Sequence, residues 1–287
     1  MTKFGPSGNS TSFTNEGHIS TLEAFEWVKN RGLDLFEYSL GQGVRIGEAT
    51  AKTFGEEAKR CGIEISVHAP YFINFASVEE IKVLNSINYI LQSLSVLKAF
   101  GGTRCVFHPG SENGMPRGEA FLRTLKGVEL MAQAKAEHGF DSLIVCPETM
   151  GKIAQIGTVD EIIELCKIDK TIYPCIDFGH INAREGGILK TKDDYKRILD
   201  KLIDGVGFEK TSNMHVHFSK IEYTIKGEKR HLTFADTVFG PEFEPLAEAL
   251  IEYKLSPHIL SESAGTQAED AKYMKDVYFN LLVSKQN

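Results

Sequence analysis

Cysteine is sparse and unpaired in this chain: five residues among 287, at positions 61, 105, 146, 166 and 175, with no C-x-x-C pair. An odd, scattered set argues against a disulfide framework or a thiolate zinc ribbon and suits a reducing compartment. Long apolar runs are missing as well. Stretches such as Leu143 to Val145 fall far short of the roughly 20 residues that span a bilayer, so no membrane partner is expected. The opening MTKFGPSG has no apolar h-region, and a cytoplasmic location is the expectation. No G-x-G-x-x-G follows the first apolar run, which weighs against a dinucleotide fold. Linkers, low-complexity tracts and charge blocks are also absent, so residues 1–287 read as a single domain. Nor does either sign of charge dominate: 32 basic against 39 acidic residues leave −7. Bulk charge therefore does not advertise a nucleic-acid binder, although a local patch or a metal cluster could still meet phosphates.

What the chain does have is alternation. Short β-rich runs fall at 2–5, 33–39, 63–68, 103–108, 142–148, 172–177, 213–218 and 257–262, each followed by enough chain for a helix. Several of those stretches open with the spacing of a capping box, in which a hydroxyl and a carboxylate satisfy each other's backbone N–H groups: Ser20 with Glu23, Ser77 with Glu80, Thr158 with Glu161, Thr266 with Glu269. After Ser77 the series Ile81, Leu84, Ile87, Leu91, Leu94, Leu97 keeps helical period until Gly101 and Gly102 end it. The runs IEISVH, SLIVCPE and HILSE stay apolar up to a polar end, as parallel strands covered on both faces should. Eight such βα units predict an α/β fold, a (β/α)8 TIM barrel.

Chemistry in that architecture sits at the C-terminal strand ends. The residues there are His68, His108, Glu148, Asp177, His215 and Glu262, with His180 three positions beyond Asp177. One imidazole at a strand end is usually structural; the same placement on six strands is not, because buried imidazoles and carboxylates need something to offset desolvation and repulsion. Bound cations do so. Mixed nitrogen and oxygen donors suit Zn2+, with Mn2+ or Fe2+ also compatible, and at least seven donors imply two or three ions. Such sites activate water and clamp the oxygens of a displaced phosphate ester. His217 shares a face with His215 and could be a ligand or an orienting group. His18, His138 and His258 read as solvent or packing residues, and Cys105, Cys146 and Cys175 as small apolar residues within strands.

These residues resemble a known family. His68-Ala-Pro-Tyr71-Phe-Ile-Asn74 is similar to the HxxYxIN segment of the endonuclease IV family of zinc-dependent apurinic/apyrimidinic endonucleases; His108-Pro-Gly110, Pro147-Glu148-Thr149, Asp177-Phe-Gly-His180, Met214-His215 and Ser261-Glu262 follow its later elements in order. The resemblance implies three zinc ions: His68 and His108 on one, Glu148 bridging to a second held by Asp177, His215 and Glu262, and His180 with His231 on a third. It implies a base-excision-repair activity on duplex DNA, in which a zinc-bound hydroxide cuts the phosphodiester 5′ to an abasic site and Glu148 and Glu262 position and deprotonate the nucleophile. Tyr71 and Asn74, with Gln42 and Arg45 of the loop after the second strand, are its implied substrate contacts, and a monomer is expected. The pattern departs at one point. Lys229 stands where the family has an acidic ligand two residues before the last histidine; either Glu228 or His217 replaces it, or the third ion is weak or absent. A basic stretch of Lys220, Lys226, Lys229 and Arg230 could contact phosphates. The alternative is a metal-dependent sugar isomerase or epimerase on the same barrel, which would use Glu148 and Glu262 and could recruit Glu37.

Overall fold

The computed structural model describes residues 1–284. Its eight barrel strands are β1 Lys3–Pro6, β2 Leu35–Ser39, β3 Glu64–His68, β4 Arg104–Phe107, β5 Ile144–Pro147, β6 Cys175–Asp177, β7 His215–Phe218 and β8 His258–Ser261; seven lie within their expected runs, and β1 extends one residue past the first. All pairings among them are parallel: β1 with β8, β8 with β7, β7 with β6, and β2 through β3 and β4 to β5. The two half-sheets close on each other through bridges between Ser7 and Glu37 on one side and between Glu148 and Cys175 on the other. The (β/α)8 expectation holds. The outer helices are α1 Thr21–Asn30, α2 Glu48–Cys61, α3 Glu80–Phe100, α4 Arg117–Glu137, α5 Val159–Cys166, α6 Lys192–Ser212 (interrupted at Gly207), α7 Glu244–Glu252 and α8 Gln267–Ser284. Among the described residues no helix is long and apolar enough to cross a membrane.

Strand alternation divides the core. Phe4, Phe36, Val67, Phe107, Val145, Ile176, Val216 and Ile259 face outward and join the helices in one continuous apolar cluster. Inside the barrel, Val106, Cys146 and Cys175 form only a small separate cluster. Leu35 and Leu260 also point inward by alternation, and beside them the polar groups Glu37, Ser66, His215 and His217 are buried in the interior. Cys105 lies in the outer core, Cys146 and Cys175 in the inner one, and all five thiols are free and buried.

Two of the four expected capping boxes form, at Ser20–Glu23 and Thr158–Glu161. Ser77 instead caps the turn before α3, accepting from the Glu79 N–H, and the helix starts at Glu80. Thr266 bonds Asp270 rather than Glu269, while the Ala268 N–H is taken by Ser10. At α5 the cap does more than start a helix. Glu161 Oε2 accepts from the Gly157 and Thr158 N–H groups, and both its oxygens take Arg117 of α4 at 2.7 and 2.6 Å. Thr158→Ala should therefore lose about 1 kcal/mol of stability in urea unfolding; an unchanged midpoint would show that Arg117 holds this corner alone.

Candidate metal centre

β6 and β7 run in register so that Asp177 lies beside His217, and β7 and β8 so that Ser261 lies beside Phe218. Glu262, one step beyond Ser261, then leans over the same mouth. At the centre stands Glu148, just past the end of β5 and buried. Its Oε2 lies 3.2 Å from Nε2 of both His68 and His108, and its Oε1 lies 3.1 Å from His217 Nδ1 and 3.3 Å from His180 Nδ1. Four sets of side chains bring their donor atoms within 4.8 Å of one another here: His68, His108 and Glu148; Glu148, Asp177, His217 and Glu262; His180, Glu228 and His231; and, deeper in the barrel, Cys175, His215 and His217.

The first and second sets bring together the residues that the family resemblance groups, with one exchange. His215, expected as a ligand, lies two residues deeper in β7, where it is paired with Cys175 and close to Glu37, and His217 occupies the rim position instead. Both face inward because strand side chains alternate, so the one-letter pattern alone could not say which of them reaches the mouth. The fit to a cation is visible in the donors themselves. Asp177 Oδ2 is buried without a hydrogen-bond partner, and the inward nitrogens of His68 and His217 face Glu148 oxygens at 3.2 and 3.1 Å. His68 Nδ1 bonds the Ala69 carbonyl at 2.8 Å, His180 Nδ1 the Thr149 carbonyl at 2.9 Å, and His231 Nδ1 the Ser219 hydroxyl at 2.8 Å; each leaves Nε2 available.

The third set depends on a hairpin between β7 and α7. Its strands, Ile221–Thr224 and Gly227–His231, pair antiparallel with a bulge: Glu222 faces Arg230, Tyr223 faces Glu228, and Lys229 is the extra residue. The bulge rephases the strand so that Glu228 and His231 both turn inward, while Lys229 and Arg230 turn out and pair with Glu222. Glu228 thereby takes the place that the sequence left open. The hairpin docks closely: the Glu228 N–H donates to the Gly151 carbonyl at 3.0 Å, and a Cβ on Gly151 would sit 2.6 Å from that of Glu228. Gly227, at φ +87° and equally close to Gly151, completes a contact that larger residues would block.

Around the centre, Tyr71 is half exposed and stacks on His108 at 5.4 Å and 27°. Gln42 and Arg45 lie exposed on the adjoining loop and share a cavity with Tyr71. Asn74 does not reach the ligand groups; its Oδ1 accepts the Ala76 and Ser111 N–H groups at 3.0 and 3.2 Å and ties two loops together. Lys220 is buried, bound to the Asp236 carbonyl and Glu242, so of the basic stretch only Lys226 is both exposed and unpaired among the described residues. His18 stacks on Phe13 at one edge of the molecule, and His258 lies at the opposite barrel mouth near Glu64.

Burial alone would push the Glu148 pKa up, but His217 and the hydrogen bonds of His108 and His180 hold it well below the carboxylate range. Burial pushes Glu262 up, opposed by His217 and reinforced by the charge on Glu148. Burial disfavours charge on His217 and His180, yet Cys175, Glu262, Glu37 and Glu148 around the first, and Asp177, Glu148 and Glu228 around the second, hold both pKa values well above an ordinary imidazole. The rim thus carries two carboxylates biased in opposite directions, a pattern suited to one group that stays charged and one that exchanges a proton.

Residues 25–277 match the sequence profile of the xylose isomerase-like TIM barrel family. A protein of Methanocaldococcus jannaschii without an assigned function is 32% identical over 275 residues, 96% of each chain. A probable endonuclease 4 of Sulfurihydrogenibium is 28% identical over 226 residues, 74% of this chain and 80% of its own. Among solved structures, a D-tagatose 3-epimerase-like protein superposes with a TM-score of 0.71 at 20% identity, covering 89% of this chain and 91% of that one; likeness at that identity speaks to fold alone.

Two outcomes are expected. Glu228→Ala should lose about one equivalent of bound zinc per chain by elemental analysis, whereas Lys229→Asp should keep the count, because Lys229 faces solvent; equal counts in the two variants would contradict the third set. Since the surrounding carboxylates bias His217 and His180 toward their protonated forms and a cation needs their lone pairs, zinc affinity should fall on going from about pH 8 to about pH 6, with proton release on binding. Affinity that ignores pH over that interval would speak against imidazole ligation.

Proposed function

The chain belongs to the xylose isomerase-like TIM barrel family, and within it we propose a metal-dependent endonuclease that hydrolyses the phosphodiester 5′ to an abasic site in duplex DNA. One observation supports this reading: two donor sets share a single carboxylate, Glu148, and a third, of His180, Glu228 and His231, adjoins it through His180, whose Nδ1 lies 3.3 Å from Glu148 Oε1. Moving a hydrogen between adjacent sugar carbons needs one cation and two proton-handling groups. Splitting a phosphodiester asks for more, since the entering oxygen, the phosphoryl oxygens and the leaving oxygen all carry charge in the transition state. The flanking sets, His68 with His108 and His180 with Glu228 and His231, have no work to do in the simpler reaction. The relatedness to probable endonuclease 4 over most of the chain supports the same choice.

Divalent ions, zinc by the donor chemistry, would be held by the three sets and, when bound, supply Lewis acidity toward a phosphoryl group and acidify water. The side chains then have distinct tasks. Glu148, kept anionic by its imidazoles, orders the sets relative to each other. Glu262, with its raised pKa, takes the proton of the entering water and can return it. Tyr71, stacked on His108, offers an exposed aromatic face beside the cavity of about 390 Å3 above the centre, suited to a sugar or base displaced from a duplex. Gln42 and Arg45 stand where a loop could enter that duplex, and Lys152 and Lys226 are the exposed cations near the rim.

A second reading has its own observation. The set Glu148, Asp177, His217 and Glu262 is complete by itself, with two glutamates among its donors, and would serve a one-metal sugar epimerase or isomerase. The deciding experiment gives zinc-loaded protein a duplex with one tetrahydrofuran abasic analogue and, separately, a panel of ketoses and aldoses. We expect a single nick 5′ to the analogue and no sugar interconversion; the reverse result transfers the assignment to the epimerase. Glu262→Gln should slow nicking by about 100-fold or more while the protein still binds metal. A wild-type rate from that variant would remove Glu262 from proton transfer.

A further inference from the structure

His217 differs from the other rim histidines. His68, His180 and His231 are anchored through Nδ1 to Ala69, Thr149 and Ser219, with Nε2 of His68 turned to Glu148 at 3.2 Å and Nε2 of His180 to Glu228 at 3.4 Å. His217 is reversed: Nδ1 faces Glu148 at 3.1 Å and Glu262 at 3.5 Å, while Nε2 points down the barrel to Glu37 Oε1 at 2.8 Å. Glu37 is in the middle of β2, wholly buried, one layer below the rim. Ser7 and Ser66 hydroxyls donate to its two oxygens at 3.0 and 2.9 Å, and His215 Nε2 lies 3.0 Å from Oε2, off the line of a hydrogen bond. A carboxylate enclosed in this way is costly beside apolar packing of equal volume, and it touches nothing at the mouth except through His217 and Ser7.

We propose that Glu37 is a positioning residue for the metal centre: by accepting the Nε2–H of His217 it fixes the tautomer and ring plane that present Nδ1 to the set of Glu148, Asp177 and Glu262, with His215 as a brace beneath it. The His-Val-His of β7 then has an unequal division of labour, one imidazole facing the centre and the other supporting the carboxylate that aims it. Spacing of two makes this possible, since both rings lie on the inner face and one residue pair of strand separates them. Carboxylate–histidine pairs of this kind raise the basicity of the ligand nitrogen and keep the ring from rotating.

The inference rests on the metal-centre reading, and its test uses no substrate. In zinc-loaded protein labelled with 15N in its histidines, His217 should be coordinated through Nδ1 and protonated on Nε2, opposite to His68 and His180. Coordination of His217 through Nε2 overturns the proposal whether or not any variant folds. Glu37→Gln, of equal size, should fold and melt cooperatively yet bind zinc about 10–100-fold more weakly in a chelator competition. Ser66→Ala, which removes one bond to Glu37 and none to His217, should weaken binding by less than Glu37→Gln. Wild-type affinity in Glu37→Gln, or an equal loss in Ser66→Ala, also overturns it. Failure to nick abasic DNA with Nδ1-ligated His217 would sink the proposed function and leave this assignment standing.

Discussion

The site hangs on one buried anion. Glu148 places a carboxylate among four imidazoles from β3, the turn after β4, β7 and the short helix Phe178–Arg184 after β6, each within 3.1–3.3 Å. Removing such an anion from water costs several kcal/mol, a cost that no single neighbour would offset. The imidazoles do so together, and in turn need counter-charges beyond those they give Glu148. Asp177, Glu228, Glu37 and Glu262 supply them. Mutual dependence of this kind explains why strands far apart in sequence all end in ionisable side chains at the same height.

Much of this was readable in the sequence, and the reasons for the remainder are specific. The strands were legible because parallel strands buried on both faces give continuous apolar runs, and the rim because those runs end in polar residues. The choice between His215 and His217 was not. Residues two apart share a face, and depth along the barrel is set by how β6, β7 and β8 slide past one another, a pairing between distant segments. Glu228 was hidden by the bulge: alternation along a regular strand would have put Lys229, not Glu228, on the side of His231. Glu37 was read at the second strand end as a carboxylate for the isomerase alternative; it lies instead in mid-strand, one layer below the rim, and its link to His217 depends on that depth. Ser77 misled in the other direction, since its capping spacing was real but served a turn ahead of the helix.

The hairpin after β7 shows how a barrel acquires a third donor set without altering its strands. Everything it needs is local: a bulge to rephase two side chains, and Gly151 and Gly227 to let two backbones meet. The docking also recruits Arg184, whose guanidinium bonds the carbonyls of Met150, Lys152, Ile153 and Gln155 and holds the receiving loop from below. Such an addition can be gained or lost independently of the central set, which is how one barrel can serve chemistries with different demands on metal number.

The division of the strands into two faces carries the same logic to the whole molecule. The outward faces pack against helices in one continuous apolar cluster, so the bulk of the hydrophobic stabilisation comes from outside the barrel. The interior is thereby released from filling space with branched apolar residues and can hold a column of polar groups from Glu148 through His217 and Glu37 to His215. That column is worse packing than a leucine layer, yet it gives the rim something an apolar floor cannot: donors and acceptors that fix which nitrogen of a ligand faces the cation. A rim set on a purely apolar floor would leave the His217 ring free to turn, and the alignment of the central set would then rest on the cation alone.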